Sequence, residues 1–231
     1  MWGSVIRLPS VILLLTLCVA VPVAEAQERG STDDSLPRTG PEIYGAIFVL
    51  GSLSENRPLN VGGEALPSTT VKNGAGGGFK AGVFPAFTGY VLGIQAESFG
   101  LGHDIKAPAS TGPAGIQSAR GTLLAWTTMV SLLVQYPGRE FKPYAGIGLG
   151  WSSSYMVDAT LTNGAMTQTG TLRDTSLAVQ YLAGLRTHLT ESVFVFGEYK
   201  YFTSRYQWSG SLEPALDFRT HIVAVGVGLA F

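Results

Sequence analysis

Near the end of the chain, large apolar side chains occupy positions 223, 225, 227, 229 and 231, and small ones occupy 224, 226, 228 and 230. Period two is the strand period, because successive side chains leave a strand on opposite faces. Comparable alternating runs cover 44–54, 76–84, 90–99, 122–136, 142–155, 177–187, 193–206 and 218–231, eight in all. Most have the about 9–11 residues that a tilted transmembrane strand needs. The breaks between them sort by length: 85–89, 137–141 and 188–192 are short, whereas 55–75, 100–121, 156–176 and 207–217 are long. Short turns on one side and long loops on the other are expected of an outer-membrane barrel, with both termini on the short-turn side. A soluble sandwich could also use eight strands, but nothing would sort its loops this way. The predicted fold is all-β: an eight-stranded antiparallel up-and-down transmembrane β-barrel.

Alternation also assigns faces. Ala145, Ile147, Leu149 and Trp151 oppose Tyr144, Gly146, Gly148 and Gly150, and Leu92, Ile94 and Ala96 oppose Gly93, Gln95 and Glu97. Every mid-strand charge falls on the inner face, namely Lys80, Glu97, Arg186, Glu198 and Lys200. On the lipid face each would cost about 2–4 kcal/mol at mid-depth. Eight strands leave a bore that side chains fill, so these charges must pair. The expected network sets Glu97 and Glu198 against Lys80, Arg186 and Lys200, as a structural plug rather than an ion path. Aromatic residues are banded in the same frame. Phe84, Phe87, Tyr90, Tyr136, Phe141, Tyr144 and Phe231 lie at the short-turn end, and Phe99, Trp151, Tyr155, Tyr206, Trp208 and Phe218 at the long-loop end. Two belts are what amphipathic rings adopt at the membrane interfaces.

The amino terminus sets the compartment. Arg7 precedes an apolar run over 11–23, and Ala24-Glu25-Ala26 reads as a cleavage site, so residues 1–26 are expected to be a secretory signal peptide. Residues 27–42 read as a flexible periplasmic leader and 43–231 as the barrel domain. Cys18, the only cysteine, lies in the signal, so the mature chain is expected to hold no disulfide and no thiolate metal site. Charged residues make up 13% of the chain, about half the usual fraction, and the net charge is −1. That balance gives no electrostatic case for nucleic acid. No mature segment offers a clean apolar run of helix length, which leaves a closed barrel as the way to satisfy a backbone in lipid.

Lys142-Pro143-Tyr144-Ala145-Gly146-Ile147-Gly148-Leu149-Gly150, Val195-Phe196-Gly197-Glu198-Tyr199-Lys200-Tyr201 and Val225-Gly226-Val227-Gly228-Leu229-Ala230-Phe231 resemble strands of the small outer-membrane barrels of Gram-negative bacteria, the OmpA/OmpX-like and opacity-type porin family. The likeness runs over 44–231. It implies an outer-membrane location, insertion by the barrel assembly machinery, and a role for Phe231 as the assembly signal. The larger relatives' peptidoglycan-binding domain is not expected here, since none follows Phe231. The partners expected are outer-membrane lipid and lipopolysaccharide, with the protein itself a monomer. The sequence names no extracellular ligand.

Candidate chemistry is sparse. No His or carboxylate pair has metal-ligand spacing, and Gly74-Ala75-Gly76-Gly77-Gly78 opens a strand rather than a phosphate-cradling helix, so no cofactor or metal is expected. A lipid A hydrolase would need a serine, a histidine and a carboxylate towards the outer surface. His103 falls in the second long break, His188 at a short turn and His221 near the outer end of the last strand. A triad could assemble from separate loops, for example Ser209 or Ser211 with His221 and Glu213. The reading favoured is a non-enzymatic barrel serving envelope integrity or surface interaction through its outer loops. A narrow pore or carrier for small solutes comes second and the hydrolase third.

Overall fold

The computed structural model describes residues 40–66, 69–112, 115–138 and 141–231. The expected signal peptide, with Cys18, and most of the leader lie outside the described residues. The chain forms strands β1 (Glu42–Ser54), β2 (Leu59–Val61), β3 (Glu64–Leu66), β4 (Thr70–Val71), β5 (Gly74–Phe84), β6 (Leu92–Gly112), β7 (Gly115–Gln135), β8 (Phe141–Asn163), β9 (Met166–His188), β10 (Val193–Gln207) and β11 (Ala215–Ala230). Eight of them close a ring in the order β1-β5-β6-β7-β8-β9-β10-β11, and β11 returns to β1. Every neighbouring pair in the ring is antiparallel. Closure satisfies the backbone of each strand on both sides, which lipid demands. The short β2, β3 and β4 sit between β1 and β5, where β2 pairs with β11 and β4 with β6.

Two of the expected long loops are not loops. Residues 100–121 and 156–176 lie mostly in β6, β7, β8 and β9, which run to 21–23 residues each. That is about twice what a bilayer crossing needs. Alternation continues, shifted by one residue at the bulges after Ala107 in β6 and between Met156 and Ala159 in β8, while the chemistry of the two faces inverts. In the lipid-level half of β6 the outward residues Leu92 and Ile94 are apolar and the inward Gln95 and Glu97 polar; farther out, Leu101, Ile105 and Ala107 point inward and are buried, while Asp104 and Lys106 point outward. Lipid surrounds the first half and water the second, so the apolar face changes sides. Inside the outer half, Leu123, Met156, Leu161, Leu172, Trp208 and Leu216 form a dry core with Leu59, Val61 and Leu66 of the first hairpin.

Boundaries also shift. Glu42, read from the sequence as the last residue of the leader, begins β1 and is buried. Tyr90 adopts a left-handed φ of 61° in the turn, so β6 starts at Leu92.

Two glycines mark places where the wall leaves no room for a side chain. A Cβ at Gly76 would lie 1.8 Å from the Gly100 carbonyl oxygen, and one at Gly228 would lie 2.3 Å from Phe194 Cζ. Gly228→Leu should destabilise the closing β10–β11–β1 seam by about 1–3 kcal/mol, the usual effect of overpacking. On an unboiled gel the variant should show a smaller fraction of the compact, heat-modifiable band. An unchanged fraction would show that the seam has room to spare.

Candidate functional site

The bore is filled in layers from the short-turn end outward. In the first layer Lys142 Nζ donates to Glu42 Oε2, and Arg186 Nη1 donates to Glu42 Oε1 at 3.0 Å. The guanidinium of Arg186 also lies 3.9 Å from the centroid of the Tyr44 ring, a cation–π contact. In the second layer Glu198 Oε2 accepts from Lys80 Nζ at 2.7 Å and from Tyr144 Oη at 2.6 Å. Lys200 Nζ lies 2.9 Å from Glu198 Oε1, an ion-pair contact that lacks hydrogen-bond geometry, and it donates to Glu97. Gln180 Nε2 donates to Glu97 and to Ser131 Oγ, the latter at 3.0 Å. Tyr44 Oη donates to Gln95 Oε1 at 2.6 Å. Above these, Phe99, Phe202 and Phe218 pack edge to face. Thr127, Ser152 and Tyr206 form a chain of hydroxyl contacts at 2.7–2.8 Å beside them.

All five predicted lumenal charges point into the bore and are almost fully buried. Their pairing departs from expectation in one respect. Arg186 meets Glu42, not Glu97 or Glu198, because it sits near the short-turn end of β9, one layer below them. Glu42 and Lys142 complete that layer and were not among the expected residues. Strand parity could have found them, since both continue the inward series of Tyr44 and Tyr144 by two positions. Four cations, Lys80, Lys142, Arg186 and Lys200, thus face three anions, Glu42, Glu97 and Glu198, among the buried residues. Phe231 follows β11 with its side chain 62% exposed, on the lipid-facing side of the short-turn rim, and its backbone N–H donates to the Ile43 carbonyl.

One histidine departs from its expected place in a long loop. His103 lies in β6, buried, with Nε2 2.7 Å from Ser52 Oγ and its ring edge-on to Phe218. Among the described residues this serine–histidine pair has no third group on Nδ1, and it is buried inside the barrel. His221 faces outward near the upper aromatic belt. Its Nδ1 is 2.6 Å from Tyr199 Oη and its Nε2 3.5 Å from Glu55 Oε1. The hydrogen bond from Arg57 holds the Glu55 carboxyl below the usual carboxylate range. Ser211 donates instead to Gln168, so the structure does not join it to His221. The only aromatic neighbours of the His221 ring are Tyr199 and Tyr201 among the described residues.

The outward face carries the lipid signature. Ile47, Val49, Leu132, Ile147, Leu149, Leu177, Val223 and Val225 are all more than half exposed. In water such a band would be an aggregation surface; around a closed barrel it is the surface that meets acyl chains. Trp126 and Trp151 project outward beyond it, and Tyr181 and Tyr199 within it, opposite Ile147 and Val223. Phe99, Tyr206, Trp208 and Phe218, expected in the outer belt, and Phe84 and Tyr144, expected in the inner one, are instead buried in the bore.

Comparison with known proteins bears on this architecture. The outer membrane protein OprG from Pseudomonas aeruginosa is similar over 84% of this chain and 96% of its own, with 15% identity and a TM-score of 0.56, which speaks to the fold. Neisserial surface protein A is similar over 83% of this chain and 97% of its own, with 14% identity and a TM-score of 0.48. No curated protein matches the sequence. The profile of the outer membrane protein β-barrel domain matches residues 11–231. The chain belongs to the outer-membrane protein β-barrel family, and its place is the outer membrane of Gram-negative bacteria.

Proposed function

We propose that this barrel is a non-enzymatic surface-interaction protein whose working part is the outer half of β6–β9. The observation that carries the reading is the inversion of those strands. They leave the membrane without ending, stay paired to each other as far as Gly112–Gly115 and Asn163–Met166, and bury an apolar inner face. A sheet so braced presents its outer face as a rigid platform, and binding groups are best held on rigid elements.

The filled bore supports surface work over conduction. Lys80, Glu97, Glu198 and Lys200 are each at most 3% exposed and occupy one another. A solute path through the bore would have to break those pairs. The sealed Ser52–His103 pair supports the non-enzymatic part of the reading, since a nucleophile must reach its substrate.

Liposome swelling tests the reading against a narrow pore. Vesicles containing the refolded protein should swell in small sugars and amino acids no faster than protein-free vesicles. Faster swelling would make the pore the better account. Mass spectra of lipid A from cells with and without the protein should coincide, and a lost acyl chain would instead revive the hydrolase.

A further inference from the structure

Lys106 on β6 and Arg120 on β7 are directly opposed in register, and both side chains face outward and are exposed. Like charges set directly opposite across two strands destabilise a sheet. Other outer cations find relief: Lys72 lies 3.7 Å from Asp104, Arg57 pairs with Glu55, and Arg205 pairs with Asp217. Among the described residues, neither Lys106 nor Arg120 forms an ion pair. Asp104 is engaged with Lys72 and Thr122.

The pair does not stand on a flat face. It borders a depression of about 440 Å³, lined also by Pro108, Ala109, Ser118 and Thr160. The register shifts beside the pair on two sides, between Ala107 and Ser110 and between Arg120 and Thr122. Bulges re-aim side chains and gather next to binding sites. We infer that this depression binds an anionic saccharide, its phosphate, sulfate or carboxylate held between Lys106 and Arg120. Ser118 and Thr160 supply hydroxyls for the sugar's own, and Pro108 an apolar edge for a ring face. Guanidinium is the side chain best suited to grip such an oxyanion with two donors.

Height argues for a sugar rather than a phospholipid headgroup. Arg120 lies six residues beyond the outward Trp126 on β7. At about 3.3 Å per residue and a tilt of about 45°, that places it roughly 14 Å above the aromatic belt. The headgroup zone is only about 5–8 Å deep. An anion at this level is carried on a saccharide, either one attached to a membrane lipid or one arriving free.

This deepens the proposed surface role and rests on it. The test uses the refolded full barrel in a neutral detergent and three probes: purified lipopolysaccharide with a phosphorylated core, a heparin-derived hexasaccharide and neutral dextran. The wild type should bind at least one anionic probe, more weakly as salt rises, and should not bind dextran. Lipopolysaccharide alone would assign a lipid-borne sugar, and the hexasaccharide a free one. Lys106→Gln with Arg120→Gln should weaken that binding at least tenfold, whereas Arg205→Gln should leave it within twofold. Without ligand, the double variant should be as stable as the wild type or more so, because a like-charge contact is gone. Equal binding by the double variant, binding of neither anionic probe, or a drop in its ligand-free stability would each overturn the site. None of those results bears on liposome swelling, so the surface reading stands or falls separately.

Discussion

Glu198→Gln should lower the stability of the folded barrel by about 3–5 kcal/mol, the usual effect of stranding a buried charge. The readout is the urea midpoint of the protein in phospholipid vesicles, followed by tryptophan fluorescence. Among the described residues, the Glu198 carboxylate is the sole anion at salt-bridge distance from Lys80, 2.7 Å away, whereas Lys200 also has Glu97. In the variant Lys80 meets a neutral amide group in place of the carboxylate, beside the Tyr144 hydroxyl at 3.4 Å and the face of Phe196 at 3.6 Å. None of these carries the negative charge that an ammonium group needs on a side chain that is 1% exposed. The loss therefore falls on one stranded ammonium group. Adding Lys80→Met removes that group and should restore most of the midpoint, because an ion pair exchanged whole for apolar packing is often neutral. If the double variant is as unstable as Glu198→Gln alone, the ion pair is not what the single substitution destroys.

Val225→Arg should destabilise the inserted barrel by about 2–4 kcal/mol, since the guanidinium would face the hydrocarbon near mid-depth. Val225 points outward with 54% of its side chain exposed, opposite Gly197 on one side and Val49 on the other. Nothing there could neutralise a charge. Tyr201→Arg on β10, outward and beside His221 at the upper belt, should cost only about 0–1 kcal/mol, because depth sets the penalty. The difference between the two variants, read from the same urea transitions, locates the lipid boundary. Equal penalties would mean that the aromatic belt does not mark it.

The membrane half of each strand is legible in the sequence because lipid and bore impose opposite demands on alternate residues. Leu92, Ile94 and Ala96 against Gln95 and Glu97 is such a pattern, and so is Val225, Val227 and Leu229 against glycine and alanine. The outer halves escape such a reading for a related reason. Leu101-Gly102-His103-Asp104-Ile105-Lys106 alternates as strictly, but with its apolar residues on the other parity. A search for strands that turn apolar residues outward stops at Phe99 and takes residues 100–121 for a loop, whereas parity alone carries β6 onward. The same continuity brings in Glu42 and Lys142, each two residues before a tyrosine of the bore. What parity cannot give is the height of each charge. Glu97 and Arg186 share an inward face, yet only the stagger between β6 and β9 shows that Arg186 sits with Glu42. His103 is hidden in the same way, since nothing local marks Ser52 of β1 as its partner across β5.

The doubled length of β6–β9 decides what an approaching particle meets first. From Trp126 to the tip at Gly115, β7 climbs eleven residues, roughly 36 Å along the strand and about 25 Å above the belt. The hairpin tips then clear the sugars nearest the bilayer, with Lys106 and Arg120 below them at the sugars' own level. A probe too large to enter that layer, such as an antibody, should reach Ile116 and Met166 on an intact cell and be denied the cations beneath.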